Sequence, residues 1–117
     1  KYPWGDEEPN ERLANFNNSI GKNTEVGKYP DGASPYGCLD MAGNAWEWCN
    51  DWYDEEFYGH SPRQNPQGPA TDSLRVQRGG GLFFGAGSLL CANRSGGSPA
   101  GYWDMVGFRL AAGSVEK

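Results

Sequence analysis

Few residues in this chain could carry chemistry, and they are scattered. Cys38, Cys49 and Cys91 could serve as nucleophiles or soft-metal ligands, roles that need an accessible thiolate and, for a metal, further soft donors. Three cysteines are an odd and sparse set, which argues against a disulfide scaffold and predicts buried free thiols. The single histidine, His60, stands in the loop Tyr58-Gly59-His60-Ser61-Pro62 without an evident catalytic partner. Acidic runs at Asp6, Glu7, Glu8 and at Asp51, Asp54, Glu55, Glu56 read as solvated faces. Binding chemistry is better represented. Leu82-Phe83-Phe84 and Tyr102-Trp103-Asp104-Met105 are apolar and aromatic clusters flanked by glycine-rich loop, with neither helical nor strand period. Rigid aromatics beside small residues supply contact area at low entropy cost, as binding loops do. The alternative is that they are ordinary core: burial of Phe83, Phe84, Tyr102 and Trp103 would favour it, and an exposed patch bounded by Ser88, Ser95 and Asp104 would favour binding.

The 117 residues suit one domain. Fifteen acids against ten bases give a net charge of -5, the wrong sign for a phosphate backbone, so nucleic acid is a poor partner. No apolar run approaches the roughly 20 residues that a membrane-spanning helix requires. Sixteen aromatics (5 Trp, 6 Tyr, 5 Phe) argue against disorder, while 18 Gly and 8 Pro without a collagen period predict many turns and little helix. Proline and glycine break every period before residue 36, so that region is ordered loop. Strands are expected at about 45–52, where Ala45-Trp46-Glu47-Trp48 alternates, and at 74–78, running into Gly79-Gly80-Gly81 where backbones pass closely. Residues 89–94 and 106–111 are the third and fourth strand candidates, with turn material at 95–101. The architecture these elements suggest is a small irregular antiparallel sheet carrying long ordered loops, with little helix.

Tyr2-Pro3-Trp4-Gly5-Asp6, Tyr36-Gly37, Asp40-Met41-Ala42-Gly43-Asn44-Ala45-Trp46-Glu47-Trp48, Asn65-Pro66-Gln67-Gly68-Pro69, Arg75-Val76-Gln77-Arg78-Gly79-Gly80 and Gly107-Phe108-Arg109-Leu110 follow one another in fixed order. Together they resemble the second half of a formylglycine-generating-enzyme (sulfatase-modifying factor) type domain, a variant of the C-type lectin fold, which implies the α+β class with short irregular antiparallel strands, long ordered loops and little helix in this segment. The resemblance makes residues 1–117 the C-terminal half of one such domain. It implies an N-terminal half, as a separate chain or a further segment, that pairs with the strand at 106–111, which would otherwise be an open edge.

Oxygen-dependent enzymes of this family carry two copper-binding cysteines after the Arg-Val…Gly-Gly strand. Here residues 81–90 hold none, Cys91 comes late, and one histidine cannot build the iron site of related sulfoxide synthases. The resemblance therefore implies no enzyme. Residues 79–109 look more like the variable region of diversity-generating-retroelement proteins, whose frame Gly-Gly, Ala-Asn-Arg and Gly-Phe-Arg-Leu is kept at 79–80, 92–94 and 107–110. The expected ligand-binding positions are Leu82, Phe83, Phe84, Gly85, Ser88, Ser95, Gly96, Gly97, Gly101, Tyr102, Trp103, Asp104 and Met105. Adenine-directed mutagenesis of asparagine codons yields Phe, Gly, Ser and Asp, whereas Trp103 and Met105 require another template codon. The runner-up is a catalytically inactive interaction domain of a larger protein, followed by an oxidase.

The resemblance also implies structural calcium. One site would use the carboxylates of Asp40 and Glu47 with backbone oxygens of Gly43 and Ala45, Asn44 bracing the loop, and a basic side chain filling that loop would remove it. A second would use Asn15 and Asn18 with carbonyls of Phe16 and Ile20, weakened because an amide replaces the family's acid. The implied ligand is an unidentified protein or cell-surface molecule, and the origin bacterial, archaeal or phage. Surface display suits such a binder, and free thiols suit the cytosol equally.

Overall fold

The computed structural model describes residues 1–101 and 103–113. One four-stranded sheet organises them: β1 (Trp46–Trp52), β2 (Arg75–Arg78), β3 (Ser95–Gly97) and β4 (Val106–Gly107), in the order β3-β2-β1-β4. The β1–β2 and β2–β3 pairs are antiparallel, and β1–β4 is parallel, so the sheet is mixed rather than wholly antiparallel. Three 3₁₀ turns, at Pro30–Gly32, Phe57–Gly59 and Ala86–Leu89, are the helical content of the described residues, and ordered loop fills the rest.

β1 forms where alternation was legible. Its register slips between Trp48, opposite Gln77, and Trp52, opposite Arg75, so β1 spends four steps where β2 spends two, as a bulged strand does. β2 ends on Gly79 and Gly80, both with positive φ (91° and 70°), where the chain passes Met41 and Ser88 closely. A Cβ on Gly80 would stand 2.4 Å from Ser88 Oγ, so glycine is required there by contact as well as by φ.

The third strand lies elsewhere than expected. Residues 89–94 do not form it: Leu89 closes a 3₁₀ turn, buries to 1% exposure, and is followed by a turn in which Asn93 N–H donates to Leu90 O at 2.9 Å. The strand is Ser95–Gly97, within the stretch read as turn, and its glycines serve close packing. A Cβ on Gly96 would meet the Tyr53 ring at 2.7 Å, and one on Gly97 would meet Gln77 at 2.2 Å and Trp48 at 2.9 Å. β4 stops after two residues. Beyond it Phe108 and Leu110 are 75% and 91% exposed, because Arg109 leaves the ladder to bind elsewhere.

The buried cluster is built outside the strands. Tyr2, Ala14, Ala42 and Leu89 form a buried cluster, with Trp4, Phe16 and Leu90 packed against it. The N-terminal aromatic turn is thereby structural: Tyr2 stacks on Trp4 at 5.4 Å, and Cys91 N–H donates to Lys1 O. Loops from residues 1–44 and 79–91 close over this cluster and carry the candidate site.

Candidate binding surface and the asparagine loop behind it

Trp46, the buried first residue of β1, is the point where two aromatic loops meet. Phe84 packs edge-on against its indole with centroids 5.2 Å apart, and a Cβ on Gly81 would stand 3.1 Å from the same ring. Trp46 N–H donates to Met105 O at 2.9 Å, tying the second loop to the same residue. From this anchor the side chains diverge. Phe83 is 55% exposed, Phe84 46% and Trp103 50%. The Trp103 indole lies over Gly101, its Nε1–H donating to Ser98 O at 2.9 Å. Gly85, Gly101 and Asp104 are exposed as well, and Ser88 and Met105 are half-buried.

Several expected positions are corrected. Leu82 is 1% exposed and belongs to the core, since its backbone is bonded on both sides and its side chain points inward. Gly97 is buried against Gln77 and Trp48, and Ser95 and Gly96 lie in β3, so all three build the sheet rather than a contact surface. Tyr102 lies outside the described residues. The exposed set therefore contracts to residues 83–85, 101, 103 and 104, with Ser88 and Met105 at its edge.

The first aromatic loop rests on a network of asparagines. Asn44, with φ of 65°, accepts on Oδ1 from Asn15 Nδ2 at 3.1 Å and from Thr24 N–H at 2.9 Å, and its own N–H donates to Asn15 O at 2.8 Å. These bonds tie Asn44 to the loops at residues 15 and 24. Its carbonyl accepts from Leu82 N–H at 3.1 Å. On the other side Asn17 N–H donates to Phe84 O at 2.9 Å and Asn18 N–H to Leu82 O at 2.6 Å. Asn17 and Asn18 take successive left-handed conformations, φ 53° and 56°, which asparagine tolerates better than most residues. Sequence reading missed this support, because no spacing marks a loop whose partners are backbone groups 64 and 67 residues away.

Two carboxylates were expected to hold calcium. Asp40, Gly43, Ala45 and Glu47 do line one pocket of about 300 Å³. Arg109 enters the same pocket: its guanidinium binds both Glu47 oxygens and donates to Leu39 O and Asp40 O at 3.0 Å each. Bidentate pairing with Glu47 pushes the Arg109 pKa up, holding its charge in place. The Asp40 carboxylate accepts from Gly27 N–H at 2.7 Å. These residues do not fit a calcium ion, because an internal guanidinium already neutralises the carboxylate that would carry the site's charge.

The Asn15 loop behaves differently. Asn15 is 1% exposed, its Nδ2 donates to Lys22 O and to Asn44, and its Oδ1 has no partner. A buried amide oxygen without a donor suits a hard cation, and Asn18, Phe16 and Ile20 stand on the same loop. Among the described residues no three His, Cys, Asp or Glu side chains converge, so ligands here would be amide and carbonyl oxygens.

Redox and acid–base groups are dispersed. Cys38 and Cys91 are exposed rather than buried, and Cys49 is half-buried with its thiol pushed up by desolvation. His60, itself exposed, lies 3.7 Å from Asp54. Arg75, Arg78 and Arg94 are engaged with Trp52, Tyr53, Tyr58 and backbone carbonyls.

A family model, the sulfatase-modifying factor enzyme 1-like domain, matches residues 1–113. Among curated proteins the chain is 44% identical over 115 residues to serine/threonine-protein kinase pkn1 of Chlamydia caviae, covering 97% of this chain and 18% of the kinase. It is 33% identical over 132 residues to the formylglycine-generating enzyme of Streptomyces coelicolor, covering 95% of this chain and 40% of the enzyme. The chain thus spans well under half of the curated relatives it matches. Among solved structures, Treponema denticola variable protein 1 superposes with a TM-score of 0.74 at 36% identity, over 84% of this chain and 35% of that protein.

Proposed function

The chain belongs to the sulfatase-modifying factor enzyme 1-like domain family, and we propose that it is a non-enzymatic binding module whose exposed aromatic loops form a diversified contact surface for a protein or cell-surface ligand. The observation that carries this reading is the exposure of Phe83, Phe84 and Trp103 on loops anchored at the buried Trp46. Side chains that leave a rigid anchor with half their area in water present ordered apolar surface at little entropy cost. The likeness to a variable protein supports diversification by a retroelement. The family includes enzymes, yet residues 81–90 carry no thiol, and the exposed Cys38 and Cys91 and the half-buried Cys49 are dispersed along the chain. A neighbouring, near-identical template rich in asparagine codons, together with a reverse-transcriptase gene, is the expected genomic setting. A locus lacking both would favour the second reading, an interaction domain within a larger protein, which the likeness to a kinase of much greater length supports.

Two further components accompany the proposal. The Asn15 loop would hold structural calcium through Asn15 Oδ1, Asn18 and the carbonyls of Phe16 and Ile20, the ion supplying positive charge to a buried, unpaired oxygen. An N-terminal half of the same domain would cover Phe108 and Leu110, an apolar pair beyond the point where the β4 ladder ends. A continuous strand at 106–111 is not its docking edge, since pairing stops at Gly107.

A further inference from the structure

The loop that carries the unpaired Asn15 oxygen is the same loop that supports the first aromatic segment. Within three residues of Asn15, the amides of Asn17 and Asn18 donate to Phe84 O and Leu82 O, the two carbonyls flanking Phe83. From the opposite side Leu82 N–H donates to Asn44 O, and Asn44 is itself bonded to Asn15 through both backbone and side chain. Asn15, Asn44 and residues 82–84 are therefore joined in one hydrogen-bonded unit, and Asn15, 1% exposed, contributes to it a buried Oδ1 that has no partner. A buried acceptor without a donor is destabilising, and the two left-handed asparagines beside it add local strain. Whatever satisfies that oxygen orders the loop, and ordering the loop fixes the amides on which residues 82–84 hang.

We infer that a hard divalent cation on Asn15 Oδ1 sets the order of the aromatic loop, so that cation binding and ligand binding at Phe83 and Phe84 are linked. The inference rests on the proposed contact surface and on the Asn15 cation site, and it assigns Asn17 and Asn18 as the positioning residues between them. Linkage is reciprocal: a cation that pre-orders residues 82–84 lowers the ordering cost of a ligand, and the ligand tightens the cation by the same factor. Neutral oxygen donors place the cation in the weak class, on the order of 10⁻⁴–10⁻³ M.

The test uses calcium alone as the probe on the full chain, with calorimetry for binding and amide hydrogen exchange read residue by residue. Saturating calcium is expected to slow exchange at the amides of Asn17, Asn18 and Leu82 by tenfold or more, with β2 amides unchanged. Asn18→Asp, which places a carboxylate where φ is already tolerated, is expected to lower the calcium midpoint at least tenfold. Asn15→Leu is expected to abolish the exchange response; should it fail to fold, Asn18→Asp alone carries the test. Calcium binding with no change in exchange at Asn17, Asn18 and Leu82 would overturn the linkage and leave the cation site standing. No binding to either the parent or Asn18→Asp would overturn both. The contact-surface reading is judged separately, by side-chain substitutions at Phe83 and Trp103, which remove none of the hydrogen bonds of the asparagine unit.

Discussion

Leu82 and Phe83 are adjacent in sequence and opposite in consequence, which makes them a sharp test of where the contact surface begins. Leu82 is 1% exposed, so Leu82→Ala removes three buried carbons and leaves a cavity costing about 2–5 kcal/mol. Phe83 is 55% exposed and pairs with no other ring among the described residues, so Phe83→Ser should cost at most about 1 kcal/mol. At roughly 4 °C per kcal/mol for a domain of this size, Leu82→Ala lowers Tm by about 8–20 °C and Phe83→Ser by no more than about 4 °C. Phe84 falls between, because its edge contact with Trp46 adds about 0.5–1.5 kcal/mol to a half-buried ring. Circular-dichroism melts of the three single variants, with urea midpoints as a second measure, give the ordering Leu82 > Phe84 > Phe83. Should Phe83→Ser destabilise as much as Leu82→Ala, the aromatic loop is core and the contact-surface account fails.

Other perturbations reach the elements around it. Gly97→Ala drives a methyl into Gln77 and Trp48 and is expected to cost about 1–3 kcal/mol, read as a lowered urea midpoint, although glycine at a surface-loop position would tolerate the change. Arg109→Ala leaves Glu47 and the carbonyls of Leu39 and Asp40 without their donor. A loss of about 1–2 kcal/mol is expected, reduced by solvent screening because the pair is partly exposed, and Arg109→Lys should recover little of it. The Cys49 thiol is held above its ordinary pKa by burial, so unfolding releases its proton at high pH. Stability should therefore fall as pH rises past about 9, the ordinary thiol value, and Cys49→Ala should remove that part of the alkaline loss. Thiol alkylation at neutral pH should label the exposed Cys38 and Cys91 before Cys49.

Much of this molecule could be read from its residues where side-chain pattern and environment agree. β1 was legible because alternating tryptophans sit on a half-buried surface, and β2 because Arg-Val-Gln-Arg runs into glycines that pass other backbone. β3 was missed because Ser-Gly-Gly is turn composition, and only the rings of Tyr53 and Trp48 above it reveal that the glycines are there to be small. Leu89 and Leu90 looked like a strand because they are apolar in succession, a pattern that a core-facing 3₁₀ turn satisfies equally. Within the site, the aromatic loops were visible, and Leu82 was wrongly grouped with them because composition does not distinguish the inward residue of a loop from its outward neighbour. The Arg109 contact with Glu47 spans 62 residues and leaves no local trace. The same holds for the asparagine unit, whose contacts with residues 82–84 are made by backbone.

The central claim is that the exposed aromatic face, and not the frame beneath it, is what varies. Amplicon sequencing of this gene across a clonal population, with codon-by-codon substitution frequencies, tests it most directly. Adenine-directed changes should concentrate at codons 83–85, 88, 101 and 103–105, while Leu82, Gly79, Gly80, Gly97 and Trp46 stay fixed because burial or close contact holds each of them. Substitutions spread evenly along the chain, or concentrated at the buried positions, would contradict it.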